Sequence, residues 1–202
     1  FGDADRENAI KMFNLPKIKT SIFRHSIDTI FWHPEIKKTD EHILSVGSDP
    51  RRDYETLVRS QRTFKVKILT RLNIKKFEHF ENLEIIKGSF HNKGISHLEL
   101  KNLYNSATVI VVPIKNVLQP SGYSVTMQAL ACGKPVIIPK FRGLWDKDSF
   151  IHLKNCIFYD PEDIEDLGEK INMIMNDKKL QKSIGENARK LAIKVFNLER
   201  TN

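Results

Sequence analysis

The chain has little of what would mark a special class of protein. Its 202 residues include only two cysteines and nine glycines, too few for a disulfide scaffold or a collagen-like repeat. A hydrophobic fraction of 40% excludes a disordered chain. No apolar run approaches the roughly 18 residues of a membrane span; TVIVVPI at 108–114 is among the longest. The start, FGDADRENAI, lacks the basic flank and apolar stretch of a secretion signal and has no initiator Met. The sequence therefore reads as a piece of a longer soluble, cytoplasmic protein, cut at its N-terminus. Cys132 and Cys156 lie in apolar stretches and read as buried thiols of that compartment.

What is present is an alternation of short β-branched runs with longer helical patterns, the signature of parallel strands joined by crossover helices. The strands are TSIF (20–23), ILSV (43–46), FKVKILT (64–70), LEIIK (83–87), TVIVVP (108–113), PVIIP (135–139) and CIFY (156–159). Most are apolar on both faces, as in an α/β doubly wound sheet with helices front and back. FKVKILT alternates Phe64, Val66 and Ile68 with Lys65 and Lys67, which predicts a place nearer an edge. Helix signals are equally local. Ser96 with Glu99 forms a capping box that predicts a helix to about Ala107. Asp160 before Pro161 predicts another start, with Ile164, Leu167, Ile171 and Ile174 on its buried face. A last helix begins near Lys178, with Leu180, Ile184, Ala188, Leu191 and Val195 as its stripe. The layout is a helix (about 4–14) and a strand at a junction in 1–24, then one Rossmann-like domain over 25–202.

In an open parallel sheet a ligand sits at the carboxyl ends of the strands. After ILSV the chain reads GSDPRRDYETL. Asp49 capping a helix with Pro50 in its first turn would bring Arg51 and Arg52 to the positive end of the helix dipole. Two cations there are unfavourable by about 0.3–1 kcal/mol each unless an anion is bound; otherwise they point to water or pair with Asp53 and Glu55. After TVIVVP, Ser121-Gly122 opens a helix whose free backbone amides can face a phosphate. Gln128, between Met127 and Ala129, reads as buried and needs a hydrogen-bond partner, either a backbone carbonyl or a sugar hydroxyl.

Taken together these segments resemble the C-terminal, nucleotide-sugar-binding domain of GT-B glycosyltransferases of the large group 1 family. RHSIDTIFWHP (24–34) is similar to the family's hinge segment and VGSDPRRDYETL to its first strand and phosphate loop. HLELKNLYNSATVIVVP and SGYSVTMQALACGKPVI are similar to the elements around its donor loop. RGLWD (142–146) stands where the family has Gly-Gly-x-x-Glu, and NCIFYDPEDIEDL (155–167) where it has Asn-Gly and an acidic cap. The resemblance implies the donor-binding half of a retaining glycosyltransferase. It would hold a nucleoside diphosphate sugar, with no other cofactor and no metal, while a missing N-terminal GT-B domain supplies the acceptor site. The fragment alone would be inactive. Arg52, with amides around Gly122 to Ser124, would stabilise the departing diphosphate as the catalytic group. Gly47, Ser48, Arg51 and Arg52 would bind the donor from the first loop and Gly88 and Ser89 from the third strand's loop. Gly122, Tyr123, Ser124, Val125 and Gln128 would bind it from the donor helix.

The departures from the family leave room for a second reading. Ser48 and Arg52 hold the places of the diphosphate-binding Arg and Lys, and Gln128 that of the ribose-binding glutamate. Gln119 or Pro120 stands in for the glutamate that holds the donor sugar, and Thr70-Arg71-Leu72 replaces a Gly-rich turn. A neutral amide has one acceptor oxygen where a carboxylate has two, so the alternative is a regulatory nucleotide-binding domain that has lost catalysis.

Other signals weigh against other functions. Asp3-Ala4-Asp5 lacks the buried strand that a metal-binding acidic motif needs. Gly133-Lys134-Pro135 lacks the rest of a P-loop, and His91 and His97 lack metal-ligand spacing. The chain carries a net charge of +8, and residues 51–76 hold nine cations against Asp53 and Glu55. Such a stretch is either an ordinary solvated face, or it attracts anions to a donor cleft or touches anionic lipid as a peripheral membrane contact. Only Tyr54 and Phe64 are interleaved with it, so a nucleic-acid module is not expected.

Overall fold

The structure is a computed structural model that describes residues 2–22, 25–36, 40–87 and 94–200. Its elements run α1 (Asp3–Phe13), β1 (Ile43–Val46), α2 (Tyr54–Ser60), β2 (Val66–Thr70), β3 (Leu83–Lys87) and α3 (His97–Ser106). They continue with β4 (Val109–Val111), α4 (Tyr123–Ala131), β5 (Val136–Pro139), β6 (Ile157–Tyr159), α5 (Ile164–Asn176) and α6 (Lys178–Val195). The six strands form one parallel sheet in the order β3-β2-β1-β4-β5-β6. Every residue of β1, β4, β5 and β6 is buried, because helices cover both faces.

Side chains alternate along each strand between two apolar layers. Leu44, Val46, Ile110, Val112 and Ile138 join Tyr104 of α3, Met127 of α4 and Ala188 of α6. Ile43, Ile68, Val109, Val111 and Ile137 join Leu57 of α2 and Ile171 and Ile174 of α5. Each such side chain removed from water contributes about 1.5–3 kcal/mol. Strand order reverses between β1 and β4, so their following loops leave toward opposite faces and open a crevice between them.

Some local expectations shift. The lysine-bearing run forms β2, which pairs with β1 and β3 and so lies one strand in from the edge. Its charges stay at the sheet margin, with Lys65 Nζ 2.7 Å from Glu84 and Lys67 Nζ 2.7 Å from Asp40. The capping box of Ser96 forms as read, with Ser96 N–H donating to Glu99 Oε2 (2.7 Å) and Glu99 N–H to Ser96 Oγ (3.1 Å). The cap of α5 is Asp163 rather than Asp160: it accepts from Asp166 N–H (2.9 Å), while Asp160 to Asp163 closes a turn that contains Pro161. Ile164, ahead of the buried stripe, is exposed. On α6 the buried line is Ile184, Gly185, Ala188 and Ala192, with Leu180, Leu191 and Val195 half-buried. The cause is close approach, since a Cβ on Gly185 would lie 2.3 Å from the carbonyl oxygen of Gly133 beyond α4.

At the N-terminal side, Thr20, Ser21 and Ile22 form no strand, and Phe23 and the boundary at residue 24 lie outside the described residues. The segment that follows is pinned to the domain. Asp28 Oδ1 accepts from the N–H groups of Ile30 and Phe31 (2.8 and 2.9 Å) in an Asx turn. Ile27 exchanges backbone bonds with Phe196 and Leu198. Arg189 of α6 donates to the carbonyls of Thr29, Trp32 and Ala131 at 3.0, 2.8 and 2.7 Å, stapling this segment to α4.

Candidate functional site

The site begins where β1 ends. Gly47 has φ +154 and its carbonyl accepts from Tyr54 OH at 2.6 Å. Ser48 Oγ accepts from Arg71 N–H (2.9 Å), which ties this loop to the turn after β2. Asp49 does not cap a helix. It closes a turn in which Arg52 N–H donates to its carbonyl (2.9 Å) and Arg51 N–H to its Oδ1 (2.9 Å). The helix cap is Asp53, which accepts from Thr56 N–H at 3.2 Å and Thr56 Oγ1 at 2.6 Å. The physical reason is long-range pairing. Asp53 N–H donates to Pro113 O (3.1 Å), Lys115 N–H to Arg51 O (3.0 Å), and Arg52 bridges Ile114 antiparallel. Residues 51–53 are thus extended against the chain leaving β4, and the two arginines precede the helix.

That pairing sends the arginines in different directions. Arg52 turns inward and is only 7% exposed. Its guanidinium lies between the two glycine loops: a Cβ on Gly47 would be 2.3 Å from Nε, and one on Gly122 would be 3.1 Å from Nη1. Neither Nε nor Nη1 has a hydrogen-bond partner among the described residues. Burial pushes its pKa down, opposed by the nearby hydroxyls of Tyr54 and Tyr104, by Asp49 and by Tyr159. An arginine nevertheless keeps its proton, so a cation is held out of water with donors unused, a costly state unless an anion completes it. Arg51 instead stays at the surface, where Nη1 meets Asp49 Oδ1 (3.2 Å) and Nε donates to Gln119 Oε1 (3.1 Å).

The second loop arrives from β4. Ser121 Oγ donates to Asp49 Oδ2 at 2.8 Å, so one carboxylate clasps both loops. Burial would raise the Asp49 pKa, but the Arg51 N–H, the Ser121 hydroxyl and the Arg51 guanidinium outweigh it and hold it below the usual range. Gly122, at φ +77, caps α4 without a side-chain oxygen. The first turn of α4, from Tyr123 to Val125, thus begins beside the Arg52 guanidinium, and a helix start favours an anion. The Tyr123 ring packs edge-on against His25 (4.6 Å) and Trp145 (6.0 Å). Gln128 is half-buried, and its Oε1 accepts from the OH of fully buried Tyr104 at 3.0 Å. Its partner is therefore a side chain of α3, and its amide N–H groups are what it can offer a ligand.

The structure brings together Gly47, Ser48, Arg51, Arg52, Gly122, Tyr123, Ser124 and Val125, with Gln128 one turn deeper. Gly88 and Ser89 lie outside the described residues. Tyr104 and the Asp49–Ser121 clasp are partners the local sequence did not show. Burial pushes the thiols of Cys132 and Cys156 up to about 12, so neither is a nucleophile. Among the described residues no three His, Cys, Asp or Glu side chains gather in a way that could hold a metal ion. What the geometry offers is a desolvated guanidinium and a helix start facing one point, which suits a doubly charged anion.

A parallel sheet of this order, with a crevice where the strand order reverses, is a Rossmann-like α/β fold of the kind found in GT-B glycosyltransferases. The model for glycosyl transferases group 1 matches residues 26–191, and the chain belongs to that family. No curated protein matches it in sequence. Among solved structures it is similar to sucrose-phosphate synthase from Thermosynechococcus elongatus (TM-score 0.77, 21% identity, 98% of this chain and 54% of that one). It is also similar to Anabaena HepE in complex with UDP-glucose (TM-score 0.78, 14% identity, 100% and 60%). A third is the C-terminal domain of the group 1 glycosyl transferase LpcC from Francisella tularensis (TM-score 0.69, 13% identity, 85% and 99%). At these identities the likeness speaks for the fold. The chain spans 54% and 60% of the first two proteins.

Proposed function

We propose that the chain is the donor-binding half of a retaining glycosyltransferase, holding a nucleoside diphosphate sugar for transfer to an acceptor carried by a second domain. The observation that carries this reading is Arg52, buried and charged, with Nε and Nη1 unpartnered at the meeting of the two loops. A diphosphate there would accept from Arg52 and from the amides of Tyr123 and Ser124. As the bond to the sugar's anomeric carbon lengthens, negative charge grows on the departing diphosphate, and these fixed donors stabilise it without reorganising. Gln128 would meet the ribose through its amide N–H groups. HepE, solved with UDP-glucose and with UDP, supports a nucleotide sugar as the ligand class. The free, buried cysteines fit a cytoplasmic protein.

A second reading, a nucleotide-binding regulatory domain, is favoured by the engagement of Gln128, in the place of the ribose-binding glutamate, and of Gln119, which with Pro120 stands near the place of the other. Gln119 is held by Arg51 and Gln128 by Tyr104. Calorimetry of the chain against UDP, GDP, ADP and CMP tests nucleotide binding. Turnover of the full-length protein with the matching nucleotide sugar separates the two readings. Binding of no nucleotide would remove both.

A further inference from the structure

The basic stretch at 51–76 loses most of its free charge in the fold. Arg51 pairs with Asp49, Arg59 and Lys76 share Glu55, Lys65 meets Glu84 and Lys67 meets Asp40. The Arg62 guanidinium lies 4.0 Å from the centroid of the Phe80 ring, and Arg52 belongs to the donor loops. Arg71 and Lys75 are left without an ion pair among the described residues, and both line one cavity.

That cavity, about 370 Å³ in volume, opens at the carboxyl ends of β2 and β3. Lys87, the last residue of β3, brings a third cation to it, and among the described residues Glu78 is the one carboxylate of its lining. Its wall is apolar, from Leu72, Ile74 and Ile85, which pack in the layer on the α2–α5 side. Tyr123, Val125 and Met127 of the donor helix pack in the opposite layer, and the turn at Arg71, whose N–H donates to Ser48 Oγ, lies between the two sites. Its volume lies in the range of about 300–1,000 Å³ usual for small-molecule sites, which combine an apolar lining with a few convergent polar groups.

Three like charges around one mouth repel one another, and an anion relieves them. An inorganic ion alone would leave the apolar wall wet. We propose that this cavity binds a phosphate monoester with an apolar body, its phosphate held by Arg71, Lys75 and Lys87 and its body set against Leu72, Ile74 and Ile85. The site does not depend on the donor reading. The same chemistry is found in a soluble organic phosphate and in the headgroup region of an anionic lipid.

The test measures binding of 1-naphthyl phosphate to the chain, beside inorganic phosphate and 1-naphthol. The ester is expected to bind at least about tenfold tighter than either part, since charge pairing and apolar burial each contribute. Lys75→Gln with Lys87→Gln, both at exposed positions, should cost about tenfold or more, Lys75→Arg with Lys87→Arg should retain binding, and saturating UDP should not displace the ester. Equal binding of inorganic phosphate, displacement by UDP, indifference to the double Gln variant, or no binding of the ester would each overturn the proposal. UDP binding in the same variants reports separately on the donor loops. Phosphatidylcholine vesicles with and without phosphatidic acid then distinguish the sources. Retention on the acidic vesicles that the double Gln variant loses assigns the phosphate to lipid. No retention beside ester binding assigns it to a soluble ester, and retention that the double variant keeps overturns the site.

Discussion

Replacing Arg52 by Met should separate binding from stability, moving them in opposite directions. In the free protein the guanidinium is 7% exposed and leaves Nε and Nη1 without partners among the described residues. Its desolvation is then a cost of the fold, and a buried charge replaced by an apolar side chain of similar length is often neutral or stabilising. In the nucleotide complex the same group would make charge-assisted bonds to the diphosphate. Losing them should cost about 1.5–3 kcal/mol, or about 10- to 100-fold in Kd. Arg51 already has Asp49 and Gln119 as partners and is 41% exposed, so Arg51→Ala should change affinity by only a few-fold. Calorimetric titration with UDP gives the first quantity, and thermal unfolding without ligand gives the second. We expect Arg52→Met to bind UDP at least about tenfold more weakly with a Tm equal to or above that of the parent. Unchanged UDP affinity would refute the reasoning, and a larger effect at Arg51 would show that the loop presents the other arginine.

Further outcomes follow from the same structure. Gln128→Ala should weaken UDP binding by about 1 kcal/mol, one hydrogen bond, and leave inorganic diphosphate unaffected. Gln128→Glu should tighten UDP, because one carboxylate oxygen can accept from Tyr104 OH while the other accepts from ribose; equal shifts for UDP and inorganic diphosphate would contradict a ribose contact. Gly122→Ala should destabilise the chain by at least about 1–2 kcal/mol in urea unfolding, the cost of a left-handed backbone. Its Cβ would also come within 2.7 Å of Val112 Cγ1 and 2.8 Å of Ile114 Cδ1, so an unchanged midpoint would mean that the loop is built differently. Acidification should lower Tm, because burial holds the pKa values of His25, His42 and His152 below the usual histidine value. Their neutral forms stabilise the fold fully above about pH 6.5, and this contribution is lost as pH falls, since the unfolded chain then binds more protons. A Tm that is flat or rises between about pH 7 and about pH 5 would contradict these assignments.

Much of the sheet was legible because its signals are local. ILSV and LEIIK are bounded apolar runs and form β1 and β3 with the limits read. The Ser96 box is a reciprocal pair three residues apart and forms as written. Asp160-Pro161 reads as a helix start, yet a proline suits a turn as well as a first helical position; backbone bonding makes it a turn, and Asp163 is the cap. The arginine loop was misplaced for a different reason. Its conformation is set by residues 113–115, about sixty positions away, through bonds that no local pattern predicts. The Gln128 partner was equally remote, since Tyr104 reaches it only after α3 and α4 pack on one face of the sheet. The apolar periodicity thus located the crevice, and long-range contacts decided which side chains enter it.

The most direct measurement is a crystal structure of the chain with UDP. The account predicts diphosphate oxygens within about 3.2 Å of Arg52 and of the Tyr123 or Ser124 amide nitrogen, with the ribose next to Gln128. UDP bound elsewhere, or bound here with its diphosphate away from Arg52, would contradict it.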